Sequence, residues 1–171
     1  MKKVIVLGIV VLALSGCGST GGTSDSTKNE QNEVTTSQTS NTSNQDKDNL
    51  KIVTKELEDK FNTDGEKLVK VETTNDVTDS TSDKPHSVIE VRVIDDEARK
   101  NMQEMKNAVD SNTATEEQLT AIYGIQLNIE EAAKKLKNEN DIVQFVNPDT
   151  NGNNVVIALA NKTENIIPLV K

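Results

Sequence analysis

The sequence predicts an α+β domain: a small antiparallel sheet with helices on one face, in the order α-β-β-α-α-β-β, after a disordered tether. Three observations predict it. Apolar residues recur at helical spacing in some stretches and alternate with polar residues in others. The alternating stretches come in pairs, with turn-rich segments between their members. A long polar tract with no apolar periodicity precedes them all.

The N-terminal stretch has three parts. Met1-Lys2-Lys3 is a short basic start. Val4 to Leu14 is an uncharged apolar run, shorter than the roughly 20 residues that a membrane-spanning helix needs. Ser15 and Gly16 are small and stand before Cys17, the one cysteine of the chain. This is the pattern of a secretory signal peptide, residues 1–16.

Leu14-Ser15-Gly16-Cys17 resembles the lipobox of bacterial lipoproteins, a resemblance confined to residues 1–17. It implies that the Cys17 thiol receives a diacylglyceryl group, that cleavage falls between Gly16 and Cys17, and that the new amino group is acylated. One acyl chain binds a membrane only reversibly, at about 0.8 kcal/mol per buried methylene, whereas two chains hold stably. The expected location is the outer face of a cell membrane. The Asn- and Lys-rich composition suggests a Gram-positive surface. Ile9 to Gly16 also resembles the apolar octapeptide pheromones that some bacteria release from lipoprotein signal peptides.

Residues 17–49 are read as the lipidated cysteine and its tether. From Gly18 to Asn49 the residues are mostly Ser, Thr, Asn, Gln and Gly, and Val34 is the lone larger apolar side chain. Such a segment cannot bury enough surface to offset the entropy of ordering. Its root-mean-square span is roughly 30 Å and its contour about 110 Å.

Residues 50–171 suit one domain. With a single cysteine there is no intrachain disulfide. The expected helix from Leu50 to Phe61 puts Leu50, Val53, Leu57 and Phe61 on one face, and Asp64-Gly65 ends it. Lys67 to Thr74 reads as a strand with Val69 and Val71 on one side. Asn75 to Pro85 is a polar loop. Val88 to Ile94 alternates Ile89, Val91 and Val93 against Glu90 and Arg92. A second helix from Glu97 to Val109 turns Ala98, Met102, Met105 and Val109 inward. Thr113 to Glu116 has the spacing of a capping box for a third helix, which runs to Lys137 with the stripe Leu119, Ile122, Ile129, Ala133 and Leu136. Gly124 inside it weakens the helix. Asp141 to Val146 and Asn154 to Ala160 read as strands about a turn of Asn, Asp and Gly. In the tail, Ile166, Ile167, Leu169 and Val170 suggest an edge strand around Pro168. Helix, strand, loop and strand over Val53–Ile94 and again over Glu130–Leu159 suggest an internal repeat.

Net charge is −9, from 19 basic and 28 acidic residues. That balance excludes nucleic acid as a partner, because the phosphate backbone demands a basic footprint. Asn147, Asp149, Asn151 and Gly152 match positions one, three, five and six of a calcium loop, but position twelve is Ala158 instead of a bidentate Glu. A hairpin turn accounts for them, with weak calcium binding helped by Asp141 as the alternative. His86 lies near Asp83 and Ser87, yet a Ser–His–Asp relay needs a rigid scaffold and an oxyanion site, so His86 is expected to be an exposed loop residue. Asp95-Asp96-Glu97 and Glu116-Glu117 sit at helix starts, and Lys134, Lys135 and Lys137 at a helix end, where the helix dipole accounts for them. Trp is absent and Phe61, Tyr123 and Phe145 fall at expected core positions, which disfavours a sugar site.

The expected protein is a lipid-anchored extracytoplasmic lipoprotein whose domain is not an enzyme and uses no cofactor. Its partners are the membrane, through the lipid, and an envelope protein. A solute-binding or enzymatic envelope domain is the alternative and requires a concave site with convergent polar groups. Release of a pheromone from the signal peptide is the remoter one.

Overall fold

The computed structural model describes residues 39–170, with side chains from Gln45 onward. The signal peptide, Cys17 and the tether up to residue 38 lie outside the described residues. Seven elements follow: α1 (Thr39–Phe61), β1 (Val69–Val77), β2 (His86–Val93), α2 (Asp96–Asp110), α3 (Glu116–Ala133), β3 (Ile142–Pro148) and β4 (Asn154–Asn161). Class and element order are those the sequence predicts.

The strands form one sheet in the order β1-β2-β3-β4. β1–β2 and β3–β4 are antiparallel, and the central pair β2–β3 is parallel. The sheet is therefore mixed, where the sequence predicted antiparallel pairing throughout. Hairpin turns are written locally, but the joining of two hairpins is not. The connection between β2 and β3 holds both α2 and α3, ample for the crossover that a parallel pair requires. α2 starts where β2 ends, and its Arg99 carbonyl accepts from Asn147 Nδ2 near the end of β3 (3.0 Å). The end of α3 lies by the start of β3, where Asn49 of α1 bonds the Lys135 carbonyl and the Lys137 N–H.

The parallel centre also bears on the suggested repeat. Each half is a helix followed by an antiparallel hairpin, with α1 against β1 and α3 against β4. Sliding one hairpin beside the other, or turning it within the sheet plane, makes the central pair antiparallel. The observed pairing admits neither operation.

One face of the sheet carries the core. Ile89, Val91 and Val93 of β2, Val143 and Phe145 of β3, and Ala158 and Ala160 of β4 pack beneath Leu50, Val53 and Leu57 of α1 and Ile122, Ile129 and Ala133 of α3. Phe61 and Phe145 meet with ring centroids 5.2 Å apart. The register of β3 and β4 shifts between Phe145 and Val146, leaving Ile157 as an extra residue in β4. That bulge lets Ile157 join Ala158 in the core. The opposite face is mixed: Val88, Ile142 and Val146 are buried there, and between them Glu90 is joined to Arg92 Nε (2.9 Å) and to Gln144 Nε2 (2.8 Å).

Several boundaries differ from expectation. α1 starts at Thr39, so residues 39–49, read as tether, are helical. This stretch has no Pro or Gly to stop a helix already anchored by Leu50 and Asn49. The capping box of α3 is Thr115 with Gln118, two residues beyond the Thr113–Glu116 match. Thr113 instead joins the turn after α2 through Ser111 Oγ (2.9 Å). α3 runs unbroken through Gly124 and ends at Ala133, earlier than Lys137. The tail makes one bridge, Ala160–Asn165, in place of an edge strand. Gln126 of α3 holds it, donating to the carbonyls of Ile157 and Pro168 and accepting from the Val170 N–H.

Candidate functional site

The predicted lipidation and cleavage residues, Cys17 and Gly16, lie outside the described residues. The remaining candidates are all placed.

Asn147, Asp149 and Asn151 do not converge on a common point for an ion. Asn147 is buried at the end of β3 and its amide is tied to α2. The Asp149 carboxylate is taken up by its own turn: Oδ1 accepts from the N–H groups of Asn151 and Asn153 (both 2.8 Å), and Oδ2 from Asn153 Nδ2 (3.2 Å). These bonds, those of Asn153 foremost, hold its pKa below the usual carboxylate value. Gly152, at φ +82°, turns the chain back toward β4. Asp141 lies at the other end of β3, bonded to the Ser87 N–H and Asn138 Nδ2. Among the described residues, no group of three or more His, Cys, Asp or Glu side chains is arranged to hold a metal.

His86 is buried, not exposed as the sequence suggested, because it is the first residue of β2 and the loop before it folds over its ring. Nδ1 lies 3.1 Å from the Lys84 carbonyl, an acceptor only, so Nδ1 carries the hydrogen. Nε2 faces Thr81 Oγ1 at 3.1 Å and Asp79 Oδ1 at 3.6 Å. Thr81 donates to Asp79 through both its N–H and its hydroxyl, which lowers the pKa of that carboxyl. A nucleophile relay places the hydroxyl and the carboxylate on opposite ring nitrogens. Here both lie on the Nε2 side, and the cluster serves as a loop clasp. Ser87 turns its hydroxyl to Asn75 Oδ1 instead (3.1 Å).

Four of the acidic and basic groups at helix ends are engaged by partners in the fold. Asp95 caps α2 by accepting from the Ala98 N–H at 2.8 Å. Asp96 pairs with Arg99, Lys134 with Glu130, and Lys135 with Glu56 of α1. Tyr123 departs from its expected core position: it is 40% exposed, over a shallow hollow shared with Leu119, Thr120 and Val170.

One feature the sequence reading missed is the outer edge of β1. Asn62 covers the edge at Val69 only. Next to it runs a groove of about 580 Å³ between α1 and β1, with Lys47, Lys51 and Lys55 along its rim. Their four-residue spacing is legible in the sequence; that Lys47 shares a helix with the other two, and which strand they flank, is not.

No helix among the described residues is long and apolar enough to cross a membrane. Comparison with protein-family models, with curated proteins and with solved structures finds no match.

Proposed function

We propose that this protein is a lipid-anchored extracytoplasmic lipoprotein whose α+β domain is a non-catalytic interaction module at the cell envelope. The observation that carries the reading is Leu14-Ser15-Gly16-Cys17 after a basic start and an apolar run. Two acyl chains on Cys17 hold the chain at the membrane, and the polar tract after it lets the domain search the space nearby. Two features support an interaction role. The polar clusters at His86, Asp149 and Asp95 are closed within the fold by their own hydrogen bonds. The grooves of the domain are open ones that suit a protein segment.

Cys17→Ser tests the anchor. The variant is expected in the soluble fraction or as an unprocessed precursor, and the wild-type N-terminal peptide is expected to carry the mass of the diacylglyceryl group. Unchanged membrane partition and unchanged mass would refute the reading.

A further inference from the structure

β1 is an edge strand, hydrogen-bonded to β2 alone. Lys70, Glu72 and Thr74 pair with Arg92, Glu90 and Val88 in the β1–β2 register. The bonds of Asn62 show that the Val69 N–H and C=O point away from β2. By the alternation of an antiparallel ladder, those of Val71 and Thr73 do the same. No described residue hydrogen-bonds the backbone groups of Val71 or Thr73 on that side.

Beside this open edge lies the groove between α1 and β1. Leu50 and Thr73 are among its lining residues, and Lys47, Lys51 and Lys55 stand along it against one acidic residue, Glu58. This is a basic strip on a protein of net charge −9. Two of the lysines have partners on their own helix: Lys51 with Asp48 (3.6 Å) and Lys55 with Asp59 (2.9 Å). Both pairs are largely exposed, and exposed pairs exchange partners at little cost.

We infer that this groove takes an extended acidic segment of a partner protein, added to the sheet as a fifth strand against β1. The open N–H and C=O groups supply backbone pairing, and the lysine rim selects carboxylates on the side chains that face α1. A second copy of the chain fits less well. Two β1 edges related by a two-fold axis normal to the sheet bring two lysine rims face to face. The bulge after Thr74, where Asp76 has φ +57°, ends the usable edge.

The inference rests on the interaction-module reading, but its test is independent of anchoring. The full chain carrying Cys17→Ser is labelled for NMR and titrated with a blocked nine-residue peptide alternating Glu with Val and Thr. The expected result is saturable binding that slows amide exchange at Val71 and Thr73. A peptide with Lys in place of each Glu is expected not to bind. Lys47→Glu, Lys51→Glu and Lys55→Glu together should weaken binding by about tenfold. Reversing Lys84 and Lys100, away from the groove, should leave it unchanged. Equal binding of the Lys peptide, protection elsewhere, no saturation, or protection of Val71 and Thr73 by self-association alone would each overturn the inference. Membrane fractionation reports separately on the anchor.

Discussion

The side-chain amide of Asn62 closes both outward hydrogen-bonding groups of Val69. Nδ2 donates to the carbonyl at 3.0 Å and Oδ1 accepts from the N–H at 2.9 Å. A single residue just past the end of α1 thus imitates a neighbouring strand and blocks the start of an otherwise open edge. Asn62→Ala removes both bonds at a partly buried site. The expected loss of stability is about 1–2 kcal/mol, read as a lower urea midpoint with an unchanged slope. Faster amide exchange at Val69 should accompany it.

Gly124 offers the opposite test. It sits inside α3, has an ordinary backbone conformation, and a Cβ added there meets nothing within 4 Å. Gly124→Ala therefore gains helix propensity without a clash and restricts the unfolded chain. A gain of about 0.5–1 kcal/mol is expected from thermal or urea unfolding. An unchanged or lowered midpoint would show that the glycine serves a contact outside the described residues.

The two substitutions mark what the sequence exposes and what it hides. The helix faces and both hairpins follow from local periodicity. Leu50, Val53 and Leu57 on α1, and Ile89, Val91 and Val93 on β2, are buried as their spacing requires. The parallel pairing of β2 with β3 is set by a long crossover that no local pattern encodes. The bulge at Ile157 and the burial of His86 depend on neighbours distant in sequence or folded over in a loop. The site is split in the same way. The four-residue spacing of Lys47, Lys51 and Lys55 is visible in the sequence. The strand edge beside them becomes visible only when the sheet order is known.

Gln126 is a buried polar residue whose role is also tertiary. Its amide joins Ile157 of β4 to the tail, donating to the Pro168 carbonyl (3.3 Å) and accepting from the Val170 N–H (2.8 Å). Gln126→Ala releases the tail and leaves the Ile157 carbonyl without this donor. A loss of about 2–3 kcal/mol is expected in urea unfolding. Amide exchange at Val170 should accelerate well beyond that of β4. Uniform acceleration across both would mean that the tail and the sheet open as one unit.

Asp141 makes folding stability depend on pH in an unusual direction. It is 3% exposed at the start of β3, and burial raises its pKa above the usual 3.8 despite bonds from the Ser87 N–H and Asn138 Nδ2. A carboxyl with a raised pKa binds its proton more tightly in the folded state than in the unfolded chain. Its contribution to stability is complete below the unfolded pKa and is lost as pH rises through the folded one. Asp141→Asn keeps an acceptor oxygen for both donors and cannot ionise. The stability of this variant relative to wild type should therefore increase between about pH 3 and pH 7 in urea melts. Asp149 supplies the control of opposite sign. Hydrogen bonds from Asn153 and Asn151 lower its pKa, so its contribution is present above the unfolded pKa and is lost as pH falls through the folded one. Asp149→Asn should accordingly lose ground to wild type over the same rise in pH. If the Asp141→Asn difference stays flat, or follows that of Asp149→Asn, the burial of Asp141 does not control its ionisation.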